Sequence, residues 1–174
     1  MPFSQDQYPV GDLSGHLKII QERLDAGRPE DAFEVLVAPL HGELYTRQDF
    51  GWTDTLPEIL RVALYFDYVR MQVLQGGFLQ LIANHYISLL LPMPEWFLLH
   101  EQPEMAQVLD DVLKVYVLNR AHLEGDKTVD EFARLYDQFP EFTQLDSRFE
   151  AAYPDALSVV IKALVDALQG AISE

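Results

Sequence analysis

Five histidines are the first residues to weigh for acid–base or metal chemistry: His16, His41, His85, His100 and His122. None stands in a His-Glu-x-x-His run, and no two lie three or four residues apart, so no helix face carries a zinc pair. Glu-x-x-His, which a di-iron bundle needs on inward helix faces, does not occur either. The absence of cysteine removes thiolate metal sites, disulfides and a thiol nucleophile. Ser4, Ser14, Ser88, Ser147 and Ser158 all lack a Gly-x-Ser-x-Gly elbow. Adjacent carboxylates occur at Asp110-Asp111 and Asp130-Glu131, but neighbours on a helix diverge by about 100°. Neither pair converges on a reacting atom, and each reads as a solvated acidic face. No catalytic residue, metal ligand or cofactor follows from these patterns.

One polar cluster stands in an apolar context: Gln75-Gly76-Gly77-Phe78-Leu79-Gln80, followed by Asn84 and His85. The glycine pair has neither dinucleotide-fingerprint nor P-loop spacing; it suits a sharp helix-to-helix turn. Gln80 and Asn84, four apart, share one helix face. Their amides are expected to satisfy backbone groups orphaned where the preceding helix ends. The alternative is a small polar ligand pocket after Gly77, which a strongly perturbed His85 would support. His85 is the histidine expected to be buried, as a paired core residue rather than a ligand or base.

The charge balance excludes more than any motif. The 174 residues carry 28 Asp and Glu against 12 Lys and Arg, a net charge of -16, while 49% are hydrophobic. Such a chain buries a real core but repels phosphates, which excludes unaided nucleic-acid binding and an anionic membrane surface. Met1–Asp6 lacks a basic region leading into an apolar one, so no signal peptide is read there. The most apolar stretch, Tyr86–Leu99, is broken by Pro92, Pro94 and Glu95 and falls short of a bilayer span. A soluble cytoplasmic protein is expected.

Helical periodicity runs almost throughout, and an all-α domain of about seven helices is predicted. Leu13, Leu17, Ile20 and Leu24 form one stripe, stopped by Gly27; Pro29 opens a second helix that should end before Pro39, giving an N-terminal helical hairpin. A loop is expected from His41 to Asp54. Thr55-x-x-Glu58 reads as a capping box for an all-round apolar, central helix that breaks at Gly76-Gly77, after which a helix continues from Phe78 to about Leu90. Pro103 should start a long helix ended by Gly125; Thr128-x-x-Glu131 is a second capping box; and a last helix should start near Pro154. Residues 1–54 form the hairpin and loop and 55–174 the main helical domain, packed as one globular unit. Pro92–Phe97 is expected to be buried, since Trp96 and Phe97 favour a core.

The Gly76, Gly77, Phe78, Gln80 and Asn84 pattern resembles the signature of a bacterial family of DNA-mimic proteins, in which Asn-Gly-Gly-Phe-x-Gln precedes an Asn; here Gln75 replaces the first Asn. The helix upstream and the Phe139-Pro140-Glu141-Phe142 to Phe149 stretch are also similar, so the resemblance spans roughly Thr55–Leu168. It implies a helical, non-enzymatic acidic protein, monomeric or dimeric, whose carboxylates imitate DNA phosphates. Such a protein occupies the nucleic-acid site of a basic DNA-binding protein, for example a helix-turn-helix regulator. From Glu101 onward there are 15 acidic and 6 basic residues. The candidate partner-binding face is Glu104, Asp110, Asp111, Glu124, Asp126, Asp130, Glu131 and Asp137; a second acidic set is Glu22, Asp25, Glu30, Asp31 and Glu34. A helical adaptor or immunity-type protein neutralising a basic partner remains the alternative on the same charge.

Overall fold

The Asp12 carboxylate accepts the Gly15 N–H at 2.9 Å and so caps the first helix, α1 (Leu13–Asp25). The computed structural model describes residues 7–173, and the segments that follow are α2 (Pro29–Arg47), α3 (Glu58–Ala83), α4 (Met93–Leu99), α5 (Pro103–Leu118), α6 (Arg120–Leu123), α7 (Val129–Gln138) and α8 (Glu141–Ser173). Two 3-10 segments, Phe50–Thr55 and Ile87–Leu90, complete the order. The chain is all-helical, with no strand among the described residues. The Met1–Asp6 start lies outside the described residues. No helix among the described residues is long and apolar enough to cross a membrane. The chain divides into two compact units, Met1–Leu64 with Leu157–Glu174, and Tyr65–Ala156.

In the first unit α1 and α2 pack together as the expected hairpin. Gly27, at φ +69°, completes a Schellman end to α1: Arg28 N–H reaches Arg23 O and Gly27 N–H reaches Leu24 O. The expected stop before Pro39 is wrong: α2 runs through it to Arg47, which leaves only a short stretch of the anticipated 41–54 loop before the 3-10 turn at Phe50. Burial explains the continuation, because Leu40 and Leu44 extend the stripe of Phe33, Leu36 and Val37. Pro39 cannot donate to the carbonyl of Val35, and the His16 ring hydrogen-bonds the Val35 backbone instead. The Tyr8 hydroxyl donates to the Leu36 carbonyl at 2.6 Å and lies 2.9 Å from His16 Nε2.

Burial lowers the pKa of His16, and the Val35 hydrogen bond opposes that shift only in part. The unfolded chain therefore binds this proton more tightly than the folded one, so stability falls as pH drops below the ordinary histidine value of about 6.5. Denaturant titrations between neutral pH and mild acid should show that loss, and His16→Gln should remove its share of the slope.

The 55–58 capping box does not form. Thr55 lies inside the 3-10 turn and donates its hydroxyl back to the Trp52 carbonyl at 2.7 Å, while Pro57 O accepts from Arg61 N–H at the true start of α3. The box at Thr128 and Glu131 is present in both directions, at 3.2 and 2.8 Å.

In the second unit α3 breaks where expected, at Gly76 (φ -148°, ψ 17°) and Gly77 (φ 73°, ψ -179°). It then ends at Ala83 instead of continuing toward Leu90, closed by Tyr86 N–H to Leu81 O and His85 N–H to Ile82 O. Pro92 and Pro94 do not merely terminate a helix; they open α4, which buries Met93, Trp96 and Phe97 as expected. The helix from Pro103 stops at Leu118, with α6 as a separate turn. α8 starts at Glu141, well before Pro154, because Phe142, Leu145, Phe149 and Tyr153 already form a buried stripe that leads through the proline. Phe78 meets Phe149 edge-on at 5.5 Å, and Phe149 stacks on Tyr153 at 6.0 Å.

Candidate functional site

The glycine break is a built feature of the second unit. With the helix interrupted, Gly76 O and Phe78 N–H lose their helical partners. Tyr136 donates its hydroxyl to Gly76 O at 2.8 Å, and Asp146 Oδ1 accepts from Phe78 N–H at 2.8 Å. Burial holds the Asp146 carboxyl above its ordinary range despite the Phe78 hydrogen bond, and pushes Tyr136 up to about 12 with help from the Asp146 charge. The orphaned backbone groups are thus satisfied by α7 and α8, not by the amides of Gln80 and Asn84 as expected. Those amides instead donate to Gln72 Oε1, at 3.2 and 2.6 Å, and Gln80 also reaches Gln75 at 3.3 Å. Amide-to-amide bonds tie the two halves of α3 across its bend.

His85 contradicts its expected burial. It is exposed at φ +63°, in the left-handed position that ends α3, a site usually taken by glycine. Phe78 is buried in the core, so the polar groups after Gly77 line the surface of a packed segment. Next to that segment lies a mostly apolar cavity of about 530 Å³ walled by Leu79, Ile82 and Ala83 on α3 and by Phe132 and Leu135 on α7, with Asp126, Lys127 and Thr128 also in its lining.

The acidic candidates fall into two kinds. Asp110 pairs with Lys114 at 2.6 Å, Asp111 with Arg148 at 2.8 Å, and Glu124 with Arg120 at 2.8 Å and with the Tyr116 hydroxyl; Glu131 serves the capping box. Partial burial works against the charge of Asp111, but Arg148 and Gln107 outweigh it and hold its pKa low; Tyr116 and Arg120 do the same for Glu124, and Thr128 for Glu131. Glu104, Asp126, Asp130 and Asp137 are exposed and take no ion-pair partner among the described residues. Asp130 and Asp137 stand seven residues apart on α7, two turns or about 10 Å along one face.

Glu124, Asp126 and Glu131 line one depression of about 420 Å³ together with Lys127 and Arg134. Glu104 lines another, of about 350 Å³, with Glu101, Asp155 and Arg148. In the first unit Asp31 lies 3.2 Å from Arg28 and 3.9 Å from Arg23, and Asp25 accepts from Gln21 at 2.8 Å. Among the described residues no group of three or more histidines and carboxylates is placed to hold a metal ion.

One buried ionic site escaped the sequence reading. Asp67 and Arg70, 3% and 7% exposed, face each other on α3 with Arg70 Nε and Nη2 both 2.7 Å from Asp67 Oδ1; Nη1 stands 3.5 Å from the Tyr153 hydroxyl. Burial opposes the guanidinium charge, but Asp67 and Tyr153 outweigh it and raise its pKa. The available signal was Asp67-x-x-Arg70 inside an all-round apolar helix, where opposite charges three apart must pair to be buried at all.

No curated protein matches the chain. Residues 54–170, which hold the glycine break, the acidic helices α5 and α7 and most of α8, match the family described as DMP19-like protein, and the chain belongs to that family.

Proposed function

We propose that this protein acts by binding, as an acidic mimic of DNA that occupies the nucleic-acid site of a basic DNA-binding protein such as a helix-turn-helix regulator. The observation that carries this reading is the state of the charges: basic side chains such as Lys114, Arg120 and Arg148 are engaged by the protein's own carboxylates, while Glu104, Asp126, Asp130 and Asp137 remain unpaired in water. A partner's arginines and lysines therefore meet surplus negative charge held on helices and short loops, the arrangement that phosphates offer them. Membership of the DMP19-like family supports the same role. The proposed contact face is the acidic set of the second unit, Glu104, Asp110, Asp111, Glu124, Asp126, Asp130, Glu131 and Asp137.

Association by such a face is electrostatically steered and steeply salt-dependent. The chain, immobilised at low salt and exposed to cell lysate, is expected to retain a specific DNA-binding protein that duplex DNA releases at constant salt. Retention only of abundant basic proteins, released by salt and indifferent to DNA, would reduce the acidity to a solubility device.

A further inference from the structure

The apolar cavity beside α7 adjoins the acidic depression, and the two share Asp126, Lys127 and Leu135. Val129, on the rim of the cavity, is 87% exposed, and Phe132 is only half-buried. A purely phosphate-like surface has no use for an aliphatic side chain held in water beside an open apolar cleft. We infer that this cleft is a docking groove for a basic amphipathic helix of the protein partner, whose aliphatic residues enter between α3 and α7 while its lysines and arginines meet the surrounding carboxylates.

Charge complementarity selects the occupant: between Arg120 and Asp137 the chain carries five acidic residues against Arg120, Lys127 and Arg134, and Asp126, Asp130 and Asp137 have no ion-pair partner among the described residues, so a neutral or acidic segment is disfavoured. A helix is selected over an extended strand because the described residues present no sheet edge for a strand to join. The inference rests on the mimic reading and deepens it, adding to the phosphate-like contact an apolar one that reads partner identity and is insensitive to salt.

The test uses the full-length protein, isotopically labelled, titrated with a leucine–lysine peptide of helical amphipathic pattern and with a peptide of the same composition in scrambled order. The amphipathic peptide is expected to bind about tenfold tighter or more, the worth of burying one leucine-sized side chain, and to shift the resonances of Leu79, Ile82, Val129 and Phe132. Val129→Glu separates the two contributions at a site too exposed to threaten folding. It adds negative charge, so charge-driven binding would tighten, whereas groove docking is expected to weaken and the amphipathic peptide to lose its advantage. Equal affinity for both peptides, with tighter binding by V129E, overturns the groove while leaving the mimic reading intact. Binding of neither cationic peptide at low salt overturns both.

Discussion

Replacing Gly77 by alanine is expected to destabilise the protein by about 4 kcal/mol, the sum of a glycine-only backbone and the loss of two partly buried hydrogen bonds. At φ +73° and ψ near 180° this position lies in a region that side-chain-bearing residues scarcely enter. A Cβ there would also overlap the Asp146 carboxylate and the Tyr136 hydroxyl, the two groups that satisfy the broken ends of α3. The melting temperature should fall by roughly 10 °C for a chain of this size. Gly76 is the internal control. Its φ of -148° suits any residue, and the atoms nearest to a Cβ there all belong to Gln80, whose amide can rotate away while its Cβ, at 3.0 Å, must give by a few tenths of an ångström. Gly76→Ala should therefore cost only about 1 kcal/mol, the amide bonds that Gln80 gives up. Equal effects at the two glycines would mean that Asp146 and Tyr136 do not hold the bend.

The second large effect is expected at Arg70. Arg70→Met keeps most of the apolar stem but takes the guanidinium away from Asp67, a carboxylate only 3% exposed. Removing one member of a buried ion pair costs about 3–5 kcal/mol, most of it the penalty on the charge left behind. Asp67→Asn combined with Arg70→Met should recover part of that loss, because the double variant buries no isolated charge. Urea unfolding of the two single variants and the double variant measures the coupling directly. Additive losses would show that the pair contributes nothing as a pair.

The first effect arises from contacts that local sequence does not encode, since Tyr136 and Asp146 reach the bend from other helices, whereas the second rests on a pair three residues apart within one helix. Thr128 and Glu131 form their capping box because all of its atoms lie within one turn, and Gly27 ends α1 because glycine takes a positive φ without strain. The end of α3 was misread because its left-handed residue is His85, which sends no such signal. Pro39 and Pro154 were misread in the opposite sense. Each costs a helical hydrogen bond, yet buried side chains continue in register on both sides, and tertiary burial outweighs the local penalty.

The Gly76-Gly77 break was legible, but the groups that hold it lie 60 and 68 residues away in sequence. The acidic set was legible as composition. Asp110, Glu124 and Glu131 take partners within four residues, Lys114, Arg120 and Thr128, whereas the pairing of Asp111 with Arg148, 37 residues away, became apparent only from the packing.

Mimicry requires that duplex DNA and this protein exclude one another from the same site. The most direct measurement takes the purified DNA-binding protein that duplex DNA releases from the immobilised chain and follows its binding to a labelled duplex as this protein is added at fixed salt. The apparent dissociation constant of the duplex is expected to rise in proportion to the concentration of this protein, with no ternary complex formed. An unchanged affinity, or a complex holding duplex and both proteins together, would contradict DNA mimicry.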